Sequence, residues 1–233
     1  MSMGSDPFLH THPYEPFLFP EATKLIVGTL PPPRFTTGEL REKDVDFCYG
    51  SCNGMLWPIL DRIFGLGLIY ENCKEAVAQR KNFLVSQGLG VCDIVESAQR
   101  EKVDASDLGM QQVILRDLVG LLLEYEKIDT LLFMGGNSKN GPEYFFRKQL
   151  KERGLELQVV STEVPRIHRL ELSDPSDPKG EPRLIRTVSL TAPSGAANRA
   201  VGSIRTYKEL KARDPNFSTL DFRVSQYQAF FQN

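Results

Sequence analysis

Long apolar runs are what this 233-residue sequence most plainly lacks. Its longest are far shorter than the roughly 20 residues a bilayer helix needs. Nor does it start with the charged-then-apolar segment of a signal peptide. No membrane partner is expected, and a cytoplasmic location is. Histidine is scarce, with three in the chain, and His10 and His12 fall in its first dozen residues. The four cysteines, Cys48, Cys52, Cys73 and Cys92, are spaced C-x3-C-x20-C-x18-C, without the paired C-x2-C knuckles of a zinc or iron–sulfur site. Reduced, mostly packed thiols fit that spacing better. The catalytic signatures that are missing narrow the chemistry further. There is no G-x-x-x-x-G-K-[ST] or G-x-G-x-x-G phosphate loop, no G-x-S-x-G elbow and no H-x-E…P-C-x2-C deaminase motif. Phosphate-handling hydrolases, serine hydrolases and zinc deaminases are thereby disfavoured, and neither metal nor organic cofactor is expected.

What is present is an ordinary globular composition, with 41% hydrophobic and 25% charged residues and a net charge of −2. The charge is unevenly placed. Residues 199–213, "RAVGSIRTYKELKAR", carry five basic residues against one acid, and residues 139–153 carry five against two. Taken alone, each segment reads as a solvated helix face.

Strand-like and helix-like segments alternate along the chain. Buried strands are expected at 24–29 ("KLIVGT"), 89–95 ("LGVCDIV"), 129–135 ("DTLLFMG") and 155–161 ("LELQVVS"). Helices are expected at 55–65, 72–88, 106–127, 142–154, 199–212 and 218–231, with Pro142 at a helix start and Gly88 at a helix end. Residues 163–190 interrupt the alternation and read as an inserted hairpin around "SDPSDPKGEP". Residues 1–20 read as a flexible arm. The alternation predicts one α/β domain, a three-layer α/β/α sandwich with a mostly parallel four-stranded central sheet.

Ligands of open α/β sheets bind beyond the carboxyl ends of the strands. Four polar segments are expected there: "TLPPP" after the first strand, Asp93 after the second, "GGNSKN" after the third, and "TAPSGAANRA" after "RTVSL". Turn chemistry alone also supplies such residues. The candidate polar tools are three amides, Asn53, Asn137 and Asn198, and the Asp93 carboxylate. Each has a plain alternative: Asn53 as the cap of the helix at 55, Asp93 as a loop cap, and Phe47 and Tyr49 as core residues.

At these residues the chain resembles the uracil-DNA glycosylase superfamily, most of all its hypoxanthine-DNA glycosylase branch. Gly28-Thr29-Leu30-Pro31-Pro32 is similar to the first motif of that branch. "FCYGSCNGMLWPIL" keeps its Tyr49, Gly50, Asn53, Trp57 and Pro58, "GLGVCDIV" its Asp93, "FMGGN" its Asn-Gly-Gly segment, and "APSGAANRA" its late loop. The ordered set, over roughly 24–60 and 80–210, carries the resemblance. It implies a nucleotide flipped out of DNA into a pocket. Asn53 would be catalytic, holding water or a base-edge atom while a cationic sugar develops. Asp93, Tyr49, Phe47, Leu30 and Pro31 would surround the base, the stiff proline turn lying against it. Ser194, Asn198, Arg199 and Arg205 would meet the DNA backbone. The implied reaction is release of uracil or hypoxanthine from DNA by a monomeric enzyme. The rival from another class is a nucleic-acid or nucleotide-binding protein without turnover. The late loop departs from the family, with Gly195-Ala196-Ala197 where relatives carry Ser-Pro-Ala.

Overall fold

A computed structural model describes residues 7–102, 107–174 and 180–232. Its strands are β1 (Phe8–Thr11), β2 (Lys24–Val27), β3 (Leu89–Val91), β4 (Val95–Arg100), β5 (Gln111–Leu115), β6 (Thr130–Phe133), β7 (Gln158–Ser161), β8 (Arg166–Leu172) and β9 (Arg183–Ser189). The helices are α1 (Arg34–Thr37), α2 (Leu56–Phe64), α3 (Lys74–Ser86), α4 (Leu118–Glu124), α5 (Pro142–Glu152), α6 (Asn198–Ser203), α7 (Arg205–Arg213) and α8 (Thr219–Phe231).

The main sheet has six strands in the order β3-β2-β6-β9-β8-β7. Its first four are mutually parallel, and β8 and β7 complete it antiparallel. Strand side chains alternate faces, and the core divides accordingly. Leu25, Val27, Leu131 and Phe133 face α4 and α5, whereas Ile26, Leu132 and Met134 face α2, α3 and α8. The three-layer architecture stands. The strand count does not, being six rather than four. The fourth parallel strand is also β9, from within 163–190, and not β7 at 158–161. Residues 163–190 are thus no appendage: their second arm is central to the sheet. β9 pairs with β6, which lies some fifty residues earlier, so local pattern could not reveal the partnership.

Three further expectations fail. The stretch 106–127 is not one helix: among its described residues are a short 3-10 turn at Asp107–Gly109, strand β5 and helix α4. Val113 and Ile114 are β-branched and pair in a second, antiparallel sheet of order β1-β4-β5. Asp117 then restarts a helix by accepting from the Gly120 amide at 2.9 Å. The N-terminal arm is likewise built in from residue 7 onwards. β1 pairs with β4, Phe17 bridges to Val91, and His10 and His12 are both buried. The segment 199–212 is broken at Ile204, whose extended backbone separates α6 from α7. The helices at 55–65, 72–88, 142–154 and 218–231 form within two residues of expectation.

Candidate active site at the carboxyl edge of the parallel sheet

β2 ends against its loop through a glycine that cannot be replaced in place. A Cβ on Gly28 would collide with the Tyr49 hydroxyl and the Asp93 carboxylate. Those two groups, with the chain at Gly28 and the arm at His12, form one buried cluster. Asp93 Oδ1 accepts from the Gly28 amide at 2.8 Å and the Tyr49 hydroxyl at 2.6 Å, and Oδ2 lies 3.0 Å from His12 Nε2. On its other side His12 Nδ1 lies 2.9 Å from the Tyr14 carbonyl oxygen and 3.1 Å from the Tyr14 amide, so the ring is held between Tyr14 and Asp93. Burial, and then the Asp93 charge, push the Tyr49 phenol well above its ordinary value, so it stays a donor. Tyr49 reaches this position from a left-handed backbone, φ 58°. That conformation is strained in a non-glycine residue. Gly50 beside it makes a turn so tight that a Cβ would strike the Val45 carbonyl.

The loop from 34 to 53 is folded around a fully buried carboxylate. Asp44 accepts from Arg34 Nε at 2.7 Å and Nη2 at 2.8 Å, and from the amides of Arg41 and Cys52 at 2.9 and 2.8 Å. Burial alone would raise this carboxyl, but Arg34 and the two amides outweigh it and hold it far below the usual carboxylate range. Arg34 continues to Ser51 Oγ at 2.8 Å, and Ser51 Oγ accepts from the Asn53 amide at 3.3 Å. A chain of polar contacts therefore runs from a buried anion to the backbone of Asn53.

Asn53 itself is exposed, and its carboxamide oxygen meets only the Cys52 thiol, at 3.9 Å. It is not a helix cap. The residue before α2 is Met55, and no side chain caps that helix. α2 is instead anchored from the other side of the site: the Met55 amide donates to Pro193 at 2.8 Å, and Gly54 bridges Ser194. The late loop is held in turn by α8. Arg223, fully buried, donates to the carbonyls of Ala192, Ser194 and Thr219 and to Asn198 Oδ1, at 2.8–3.2 Å. Gln226 accepts from the Thr191 amide at 2.8 Å, and the Tyr227 hydroxyl donates to the Thr191 carbonyl, also at 2.8 Å.

The candidates divide accordingly. Asp93 and Tyr49 meet directly, Asn53 lies beside the Ser194 loop, and Pro31 is half-buried on the proline turn. Phe47 and Leu30 are core residues. Phe47 packs among Phe17, Tyr14 and Trp57, and Leu30 against the α4–α5 side. The Asn198 oxygen is occupied by Arg223 and Thr219. Arg199 is exposed, and Arg205 is exposed with Glu209 at 2.8 Å. Asn137 is exposed on the loop after β6. The four cysteines are free thiols. Cys48 and Cys92 are packed, with burial pushing Cys92 up to about 12, but Cys52 stands exposed beside Asn53. Among the described residues no group of three or more His, Cys, Asp or Glu side chains is arranged to hold a metal ion, and no helix is long and apolar enough to cross a membrane. His12, Asp44 and Arg223 escape sequence reasoning. Only Arg223, a charge flanked by Phe222 and Tyr227 inside a helix, leaves any local trace.

No family model matches this chain, and no curated protein matches it. A solved structure does align along nearly its whole length. It is the solution NMR structure of a "putative uracil DNA glycosylase" from Methanosarcina acetivorans, 16% identical, with 97% of this chain and 98% of that one covered and a TM-score of 0.53. At that identity the likeness is one of fold: the chain has a uracil-DNA-glycosylase-like α/β/α fold.

Proposed function

We propose that the chain is a monofunctional DNA glycosylase that hydrolyses the N-glycosidic bond of a flipped, deaminated base, uracil or hypoxanthine, and leaves an abasic site. The observation that supports it most is the convergence at one sheet edge of the Gly28–Pro33 turn, the Asp93–Tyr49 pair, exposed Asn53 and the 191–199 loop, in a fold shared with the archaeal protein. In this reading the proline turn and Tyr49 wall the base. The Asn53 amide orients the water that adds to C1′ as the bond to the base breaks and the base leaves with the bonding electrons. Positioning and electrostatics supply the rate, since the sugar becomes cationic and no strong base is required. No lysine stands at a motif position to form a Schiff base, so strand cleavage is not part of the activity. The enzyme acts as a cytoplasmic monomer on DNA, without a cofactor.

A second reading, binding without turnover, has its own support. Asp93 already accepts from three neighbours, so little of its capacity is left for a base edge, and Asn53 has no well-aligned side-chain partner. Incubation with oligonucleotides carrying one uracil, hypoxanthine or xanthine, followed by alkali, decides between the two. Cleavage at the modified base is expected. Tight binding with none of the three cleaved would favour the second reading.

A further inference from the structure

A second buried carboxylate lies at the same sheet edge, on the opposite face from α2 and α8. Glu143, in the first turn of α5, is fully buried and is met by the Ser189 hydroxyl at 2.6 Å, Arg147 Nε at 2.8 Å and Arg166 Nη2 at 2.8 Å. Ser189 is the last residue of β9 and Arg166 the first of β8. The two stand directly opposite in the antiparallel pair. Arg166 also rests on the Gly135–Gly136 turn after β6. A Cβ on Gly136 would lie 2.8 Å from its Nη2. Arg147 reaches on to His168 Nε2 at 2.9 Å. Behind them, His168 Nδ1 and Thr187 Oγ1 are buried without a protein partner among the described residues.

We propose that Arg166 and Arg147 form an anion subsite that takes a phosphodiester group of bound DNA on the side of the mouth away from Ser194 and Arg199. One carboxylate holds two guanidiniums, so the cluster keeps an excess positive charge. Both side chains remain about one-third exposed, at 35% and 33%. Each uses only part of its five-donor fork on Glu143 and His168, leaving N–H groups for an acceptor. Binding by a free surface arginine would cost its rotamer entropy, but here Glu143 has already fixed both rotamers. Burial raises the Glu143 carboxyl and Ser189 and the two arginines outweigh that, so the brace stays ionised. The site also explains why the turn beside it carries glycine at 136, where any side chain would displace Arg166. It rests on the glycosylase reading for the identity of the anion, not for the site.

The test is equilibrium binding to a short duplex carrying one uracil, measured across a salt series. Arg166→Gln should weaken binding and lower the log–log salt slope by about 0.9, the value for one lost phosphate contact on duplex DNA. Arg166→Lys should retain the slope. Arg169→Gln, an exposed arginine of the same strand, should leave both unchanged. An Arg166→Gln protein that binds like wild type with an undiminished slope would reduce the cluster to an internal brace and leave the glycosylase reading intact. If wild type binds no DNA, that reading falls instead. Inorganic phosphate titrated by NMR then judges the subsite alone, with shifts around Gly136 and Ser189 in wild type, absent in Arg166→Gln, as the result that keeps it. Should Arg166→Gln not fold, the same comparison is made with Arg147→Gln.

Discussion

At the scale of the residue, exposure separates the groups that hold the candidate site from the one proposed to act, Asn53. Asp93, Tyr49 and His12 satisfy one another and the Gly28 amide. They fix the turn on which a base would rest. Asn53 is held through its backbone, and its exposed carboxamide meets the Cys52 thiol at a loose 3.9 Å. Because Met55 and not Asn53 precedes α2, the capping alternative is gone and the variants become easy to interpret. Asn53→Asp and Asn53→Ala should both leave the melting temperature within a degree or two. In single-turnover kinetics Asn53→Asp should lower base release by about 10²–10³, the usual cost of one positioned polar group in a closed site. Unchanged base release in Asn53→Asp would remove this side chain from the mechanism. The sequence carried Asn53, Asp93 and Tyr49 because each sits in a short motif. His12 was beyond its reach, since the contact that defines it spans 81 residues.

At the scale of the element, two loops and two buried charges do for the site what helices do for the core. Asp44 gathers the 34–53 loop, and Arg223 gathers the 191–198 loop. Replacing Arg223 by Met strands three carbonyls and one amide oxygen, and should destabilise by roughly 3 kcal/mol. Limited proteolysis should then cut near Ala192–Asn198 before anywhere in α8; an uncut loop in a destabilised protein would mean that the Met55 and Ser194 contacts suffice. Asp44→Asn should cost a similar amount, about 3 kcal/mol, because Arg34 keeps its charge and loses its partner. The folded-state pKa of Asp44 is depressed, so its contribution is complete above the unfolded carboxyl value near 4 and is lost as pH falls below it. Acid melting curves of wild type and Asp44→Asn should therefore start to draw together only below about pH 4 and go on doing so towards the depressed folded value. Curves that stay parallel would deny Asp44 that role. Such anchors are illegible in sequence for a physical reason. An isolated Asp between charged neighbours, as in "REKDVDF", looks solvated until the chain closes over it.

At the scale of the whole molecule, the N-terminal strand couples the small antiparallel sheet to the site, and its lock is a neutral histidine. Helices α2 and α5 were legible because their apolar faces are local patterns, and α3 because Gly88 marks its end. β1 and the β6–β9 pairing were not, because each depends on a distant partner. The cost of misreading β1 is concrete, since the same strand end places His12 on Asp93. His10, two residues earlier on the same face, is buried and accepts from Arg100 Nε at 2.8 Å through Nδ1. Burial, then the charge of Arg100, push its pKa from 6.5 down to about 4. Protonation would remove the acceptor and set cation against cation. Between those values the unfolded chain takes up a proton that the folded chain refuses, so stability falls as the pH drops from 6.5 towards 4 and levels off below. His10 should therefore withdraw about 2 kcal/mol between pH 7 and pH 5. His168, also lowered by burial, pulls in the same direction, whereas Asp44 and Glu143 begin to matter only at lower pH. His10→Asn keeps an acceptor for Arg100 but cannot titrate. Urea unfolding at pH 7 and pH 5 should show wild type losing markedly more stability than His10→Asn, while hydrogen exchange at pH 5 quickens first in β1 and at His12. Equal losses in the two proteins, or exchange that quickens uniformly, would free the N-terminal strand from any part in the acid response and leave His168 to carry it.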